Sequence, residues 1–129
     1  MIFRYSILYV DDVPATVAFY QKAFSLELGF LHEGGDYAEL KTGDTKLAFS
    51  STALMTQLGK SPAKADPKHP TFEIAFEIDD VATALKTALA AGATLVQDAR
   101  EEPWGQTTSY VSDPNGYLIE ICSPVANAG

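Results

Sequence analysis

From position 72 to 78 apolar and polar side chains alternate almost strictly, with Phe72, Ile74, Phe76 and Ile78 on one side and Glu73, Ala75 and Glu77 on the other. A period of two belongs to a strand with one buried face, so the stretch is predicted to be a strand whose apolar side packs on a helix. Its carboxylate side must then be wet, paired, or lining a polar cavity. The period changes immediately afterwards. Val81, Leu85 and Leu89 recur at the spacing of one helical stripe, and Gly92 can end such a helix. An earlier stretch behaves alike, with Ile7 to Val10 leading into a stripe of Val13, Val17, Tyr20 and Phe24.

These two stretches align as a repeat, Ile7 to Thr16 against Ala75 to Ala84, at an offset of 68 positions. In both copies an Asp stands where its side chain can cap the first helical N–H groups, and Pro14 suits a first turn because it has no N–H to lose. Three stretches of strand character follow each helix: Leu26 to His32, Tyr37 to Leu40 and Lys46 to Ser50, then Thr94 to Gln97, Thr107 to Val111 and Tyr117 to Cys122. Lys41 to Thr45 and Asp113-Pro114-Asn115-Gly116 read as the matching hairpin turns. The pattern predicts an α+β fold of two pseudo-symmetric βαβββ modules, module one over 1–58 and module two over 71–129, within a single domain of 129 residues. The intervening segment, 59–70, has three prolines and no apolar period and reads as a mobile linker. One helix covers only one face of a four-stranded sheet, so the other face must meet the second module or a ligand.

Composition narrows the partners. The net charge of −8 argues against nucleic acid or an anionic membrane, which need clustered Lys and Arg. The charge is uneven: residues 71 to 129 carry two basic and nine acidic side chains. Apolar stretches are broken well before the length of a membrane span, and the N-terminus lacks a basic region with a small-residue cleavage site, so the chain reads as cytoplasmic. The single cysteine, Cys122, cannot form an internal disulfide and reads as a packed strand residue.

The pattern Ile7-Leu8-Tyr9-Val10-Asp11-Asp12-Val13 followed by Ala18-Phe19-Tyr20, the strand leading into Asp79-Asp80-Val81, and Trp104-Gly105-Gln106 followed by Asp113-Pro114-Asn115-Gly116-Tyr117-Leu118-Ile119-Glu120-Ile121 together resemble the vicinal oxygen chelate superfamily of glyoxalases, bleomycin-resistance proteins and extradiol dioxygenases. The resemblance covers nearly the whole chain. It implies paired βαβββ modules forming a cupped mixed sheet around one small-molecule site, assembled as a homodimer. It does not fix the activity, because the fold hosts isomerases, dioxygenases, thiol transferases and antibiotic-sequestering proteins. Carried over position by position, the metal ligands of the metal-dependent members fall on Tyr5, on Glu73, on Glu120, and on either Ala48 or Phe49. Two carboxylates fall short of the three ligands, with imidazole favoured, that a catalytic zinc or iron site needs. His32 and His69 lie away from these positions and read as surface or capping residues. Glu73 and Glu120 are therefore at most an incomplete metal site, and no cofactor is expected beyond a weakly held divalent ion.

If Tyr5, Ile7, Tyr9, Glu73, Glu77, Glu120 and one of Ala48 or Phe49 share the concave face, with Tyr110 among the binding residues, the lining combines rings with carboxylates. Such a lining suits a cationic or amphipathic small molecule. Trp104, framed by Pro103 and Gly105, either closes over a flat ligand or plugs the end of the core or a dimer seam. The rival expectation is a lyase or isomerase of glyoxalase type, with Glu73 or Glu120 as the catalytic base beside a carbonyl and a weak divalent ion assisting. No Gly-x-Ser-x-Gly elbow, Cys–His arrangement or phosphate-cradling Gly-rich loop is present.

Overall fold

The computed structural model describes residues 1–126. The last three positions of module two, 127–129, lie outside the described residues. Module one runs β1 (Tyr5–Val10), α1 (Val13–Phe24), β2 (Leu28–Leu31), β3 (Tyr37–Leu40), β4 (Lys46–Ser51) and a short α2 (Thr52–Gln57). Module two runs β5 (Ile74–Glu77), α3 (Val81–Ala90), β6 (Thr94–Glu102), β7 (Gln106–Ser112) and β8 (Leu118–Cys122). Each module has one four-stranded mixed sheet, ordered β1-β4-β3-β2 and β5-β8-β7-β6. In each, the first strand pairs parallel with the last and the remaining pairs are antiparallel. The fold is the predicted α+β arrangement.

Both long helices begin as their sequences dictate. Asp12 Oδ1 accepts the amide of Ala15 at 3.0 Å and Asp80 Oδ1 accepts the amide of Thr83 at 3.1 Å, each satisfying one otherwise free helical donor. Asp80 also accepts the Thr83 hydroxyl at 2.8 Å. The Thr83 amide, with this hydroxyl second, holds the Asp80 carboxyl below the usual carboxylate value. Their ends differ. α3 closes with the Ala93 amide on the Ala88 carbonyl and the Gly92 amide on the Leu89 carbonyl, with Gly92 left-handed. α1 closes on Ser25, a non-glycine residue at φ 55.

The two cores use different side chains on one plan. In module one Tyr20 is fully buried and stacks against Phe49 at 5.0 Å and Phe24 at 5.5 Å, over Leu8, Val10 and Leu40. In module two Val81, Leu85 and Ala88 pack over Val111, Ile119 and Ile121. Ser109 is buried among them, and its hydroxyl donates to the Ile121 carbonyl at 2.8 Å, which satisfies that polar group.

Three expectations need correction. The strand expected from Phe72 to Ile78 is only Ile74–Glu77, because β5 pairs with β8 alone and α3 packs over β6, β7 and β8. Ile74 and Phe76 are consequently half-buried, and Phe72 and Ile78 are exposed. The segment 59–70 is not uniformly free. The compact units divide between Lys64 and Ala65, and from Ala65 onward the segment is held to module two. Asp66 accepts the Lys68 amide at 2.9 Å, and the Ala65 carbonyl oxygen lies 2.5 Å from where a side-chain carbon on Gly116 would sit. Finally, α2 has no counterpart in the reading of the sequence. It starts at Ser51, whose Oγ accepts the Leu54 amide at 3.0 Å, and it buries Met55.

Candidate functional site

Strand pairing decides which side chains of module two share the face away from α3. Ile119 and Ile121 point into the core, so Leu118, Glu120 and Cys122 point to the other side. On β7 that side carries Gln106, Thr108 and Tyr110, and along β5 it carries Ala75 and Glu77, with Glu73 just before the strand. Glu120 stands in register between Ala75 and Tyr110. Ala75 is exposed and ends at its methyl group, so the space between Glu73 and Glu77 beside Glu120 is unfilled by β5.

Tyr110 organises this face. Its hydroxyl donates to Glu120 Oε2 at 3.0 Å. Desolvation first, then Glu120, and then Glu73 push its phenol well above the ordinary value, so it remains a neutral donor. Glu73 and Glu120 thus act on the same hydroxyl. Cys122 is buried, and its thiol is pushed up first by burial and then by Glu120 and Glu77. Gln97 Nε2 donates to Thr108 Oγ1 at 3.2 Å and extends the polar array to β6. Among the described residues none of Glu73, Glu77 or Glu120 is in a salt bridge. The face therefore offers carboxylates, a phenol and a small-residue gap, which suits an N–H-bearing or aromatic cation.

The corresponding face of module one is built differently. On β1, Tyr5 (48% exposed) and Ile7 (44% exposed) lie on the side opposite the buried Leu8 and Val10. Tyr9 shares that side, with the Lys60 ammonium 5.7 Å from its ring centroid. Register settles the choice between Ala48 and Phe49. Ala48 pairs with Ile7 and Glu39 just as Glu120 pairs with Ala75 and Tyr110, so Ala48 is the counterpart of Glu120. Phe49, expected as a ligand-binding residue, is instead a core residue, fully buried against Tyr20. The one-residue difference puts it on the helix side of the sheet.

Three residues of the module-one face were not singled out in the sequence. Tyr37 donates to Glu39 Oε2 at 2.8 Å, and Lys46 lies 3.5 Å from Glu39 Oε1. Burial, then Glu39, push the Tyr37 phenol up. Tyr37 and Glu39 are two apart on a strand, which places them on one side, but nothing in the spacing announces a bond between them.

Of the residues expected to form the site, Glu73, Glu77, Tyr110 and Glu120 come together on the module-two sheet, whereas Tyr5, Ile7 and Tyr9 belong to the module-one sheet. Trp104, at the β6–β7 turn, is 53% exposed and does not plug the module-two core. The histidines serve turns: His32 Nδ1 accepts the Gly34 amide at 3.2 Å, and His69 Nδ1 lies 3.0 Å from Asp66 Oδ2. The donor set does not fit a three-ligand transition-metal centre. Ala48 has no donor atom, and among the described residues no group of three or more His, Cys, Asp or Glu is placed to hold an ion. Among the same residues, no helix is long and apolar enough to cross a membrane.

Comparison with known proteins agrees with this architecture. A family model described as Glyoxalase/Bleomycin resistance protein/Dioxygenase superfamily matches residues 2–121. An uncharacterised protein of Mycobacterium bovis is 30% identical over 123 residues, covering 92% of this chain and 80% of that protein. A glyoxalase-related enzyme from Fulvimarina pelagi is similar in structure with a TM-score of 0.82 at 21% identity, over 96% of this chain and 88% of the other. A lactoylglutathione lyase from Agrobacterium tumefaciens is similar with a TM-score of 0.74 at 21% identity, over 98% and 96%. At that level of identity the two structures speak to the fold alone.

Proposed function

Given that the chain belongs to the glyoxalase/bleomycin resistance protein/dioxygenase superfamily, we propose that it is a small-molecule-binding protein whose module-two face takes a cationic aromatic compound. The family name itself spans lyases, resistance proteins and oxygenases, so the site has to choose among them. The observation that carries the reading is the Tyr110 hydroxyl bound to Glu120 and influenced by Glu73, beside the gap at Ala75. A cation entering there would meet carboxylates with no salt-bridge partner to displace, and a phenol kept protonated as a donor. Sequestration of such a compound follows from binding alone and needs no metal.

Thioflavin T, a flat cationic dye, is a suitable probe. Titration should show saturable binding that weakens with added salt and is absent for a neutral dye of the same shape. Glu73→Gln and Glu120→Gln should each weaken it by about fivefold, the scale of one partly exposed charge or cation–π contact. Equal affinity for the neutral dye, or indifference to both substitutions, would defeat the reading.

A lyase or isomerase using Glu73 or Glu120 as a base is the second reading, favoured by the two carboxylates that act on one hydroxyl. A metal-assisted form would show as a large thermal stabilisation by zinc, nickel, manganese or iron(II) that Glu73→Gln removes.

A further inference from the structure

The turn between β6 and β7 holds Trp104, although exposed, through both its backbone and its ring nitrogen. Glu102 pairs with Gln106 across a three-residue loop of Pro103, Trp104 and Gly105. Pro103 fixes its own backbone angle, and Gly105 at φ 84 takes the left-handed position while its amide donates to the Glu102 carbonyl at 3.1 Å. The Gly105 carbonyl in turn accepts the Ala126 amide at 2.8 Å. The backbone beneath the indole is therefore set.

The ring is fixed as well. Its Nε1–H donates to Gln106 Oε1 at 2.7 Å, and Gln106 Nε2–H donates to the Ser123 carbonyl at 2.9 Å. Ser123 is itself clamped to β7, accepting the Thr107 amide on Oγ at 2.8 Å and donating its own amide to the Thr107 carbonyl at 2.9 Å. The amide of Gln106 can take only one orientation, because an indole only donates and a carbonyl only accepts. With its N–H already satisfied, the indole has only its apolar faces left to offer. Gln106 lies on the same side of β7 as Thr108 and Tyr110, and it acts on the Cys122 thiol, which Glu120 and Glu77 also influence. Gln106 therefore belongs to the carboxylate face described above, and Trp104 is tied to it at the β6–β7 end of that face.

We propose that Gln106 is the positioning residue of the module-two site, holding Trp104 as a fixed wall on which a planar cation stacks rather than as a lid that closes. This assignment rests on the proposed binding role of that face. Pre-setting one rotamer-rich aromatic side chain contributes to affinity by removing the entropy otherwise lost on binding.

Trp104 is the sole tryptophan, so its fluorescence reports on the relay directly. In Gln106→Met, which keeps the length and removes both hydrogen bonds, Trp104 anisotropy in the free protein should fall. Thioflavin T affinity should drop about three- to tenfold, the scale of freeing one such side chain. Trp104→Phe removes the indole donor, so adding Gln106→Met to it should cost nothing further, as a double-mutant cycle requires. Circular dichroism confirms folding of each variant, and should Gln106→Met not fold, slow solvent exchange of the wild-type Trp104 indole N–H by NMR tests the relay instead, with exchange as fast as in a free indole overturning it. If wild type binds the dye while Gln106→Met changes neither anisotropy nor affinity, the Gln106 assignment falls and the binding role stands. If wild type takes no dye at all, the binding role falls and the assignment with it.

Discussion

Where β8 carries Glu120, β4 carries Ala48, and where β7 carries Tyr110, β3 carries Glu39. The two modules thus place a phenol–carboxylate pair on the same sheet face by different routes. In module one the pair lies along a single strand, Tyr37 to Glu39, and Lys46 beside it offsets the charge. In module two it spans two strands, Tyr110 to Glu120, and no Lys or Arg among the described residues answers Glu73, Glu77 or Glu120. A repeated backbone fixes which positions share a face and leaves their chemistry to substitution. Only one of these two faces carries an uncompensated charge for a ligand to meet.

The largest expected effect tests whether Phe49 belongs to the core or to that face. Phe49→Ala should cost about 3–5 kcal/mol of unfolding free energy, as truncation of a fully buried aromatic does, with dye affinity unchanged under native conditions. A small loss of stability together with lost binding would return Phe49 to the site. Denaturant unfolding monitored by circular dichroism measures the first quantity.

A second comparison sets the two matching hairpins against each other. Gly43, at φ 97, has nothing within 4 Å of the point where an added side-chain carbon would sit, whereas Gly116, at φ 94, has the Ala65 carbonyl at 2.5 Å. Gly43→Ala should cost about 1–2 kcal/mol from backbone strain alone. Gly116→Ala should cost at least about 1 kcal/mol more, since the added carbon must also displace backbone. Equal midpoint shifts in parallel denaturant curves would mean that the Ala65 segment yields freely.

The smallest effect is confined to the acid limb of module two. Asp80 is held below its ordinary value of 3.8 in the folded state, so its contribution is present above that pH and fades as pH falls through the lower, folded value. Asp80→Asn keeps a capping oxygen without a titrating charge and should flatten stability against pH in that window. An unchanged acid limb would mean that the cap's charge adds nothing to stability.

Much of the backbone was legible because it rests on local rules. The caps at Asp12 and Asp80, the stripes of Val13, Val17 and Tyr20 and of Val81 and Leu85, and the Asp113–Gly116 turn each need only neighbours in sequence to be read. The expectation that Glu73 and Glu120 share a face came from the family resemblance rather than from any local rule, and the bond from Tyr110 to Glu120 was not read at all. What stayed hidden depends on non-local alignment. Whether Ala48 or Phe49 answers Glu120 turns on a hairpin gap of one residue, and such a slip exchanges the two faces of a strand. The Trp104–Gln106–Ser123 relay joins side chains and backbone across 17 positions, and no spacing rule marks it. α2 is only six residues long and too short to establish a period.

The wedge of Ala65 over Gly116 bears on how this protein could be re-engineered. A split reporter should open the chain upstream of Ala65, at the Lys64–Ala65 boundary of the two compact units, so that the segment packed over the Asp113–Gly116 turn stays with its own unit. A cut made nearer the first strand of the second sheet would detach the strap that covers that turn, leaving the left-handed backbone as the one remaining demand for glycine at Gly116.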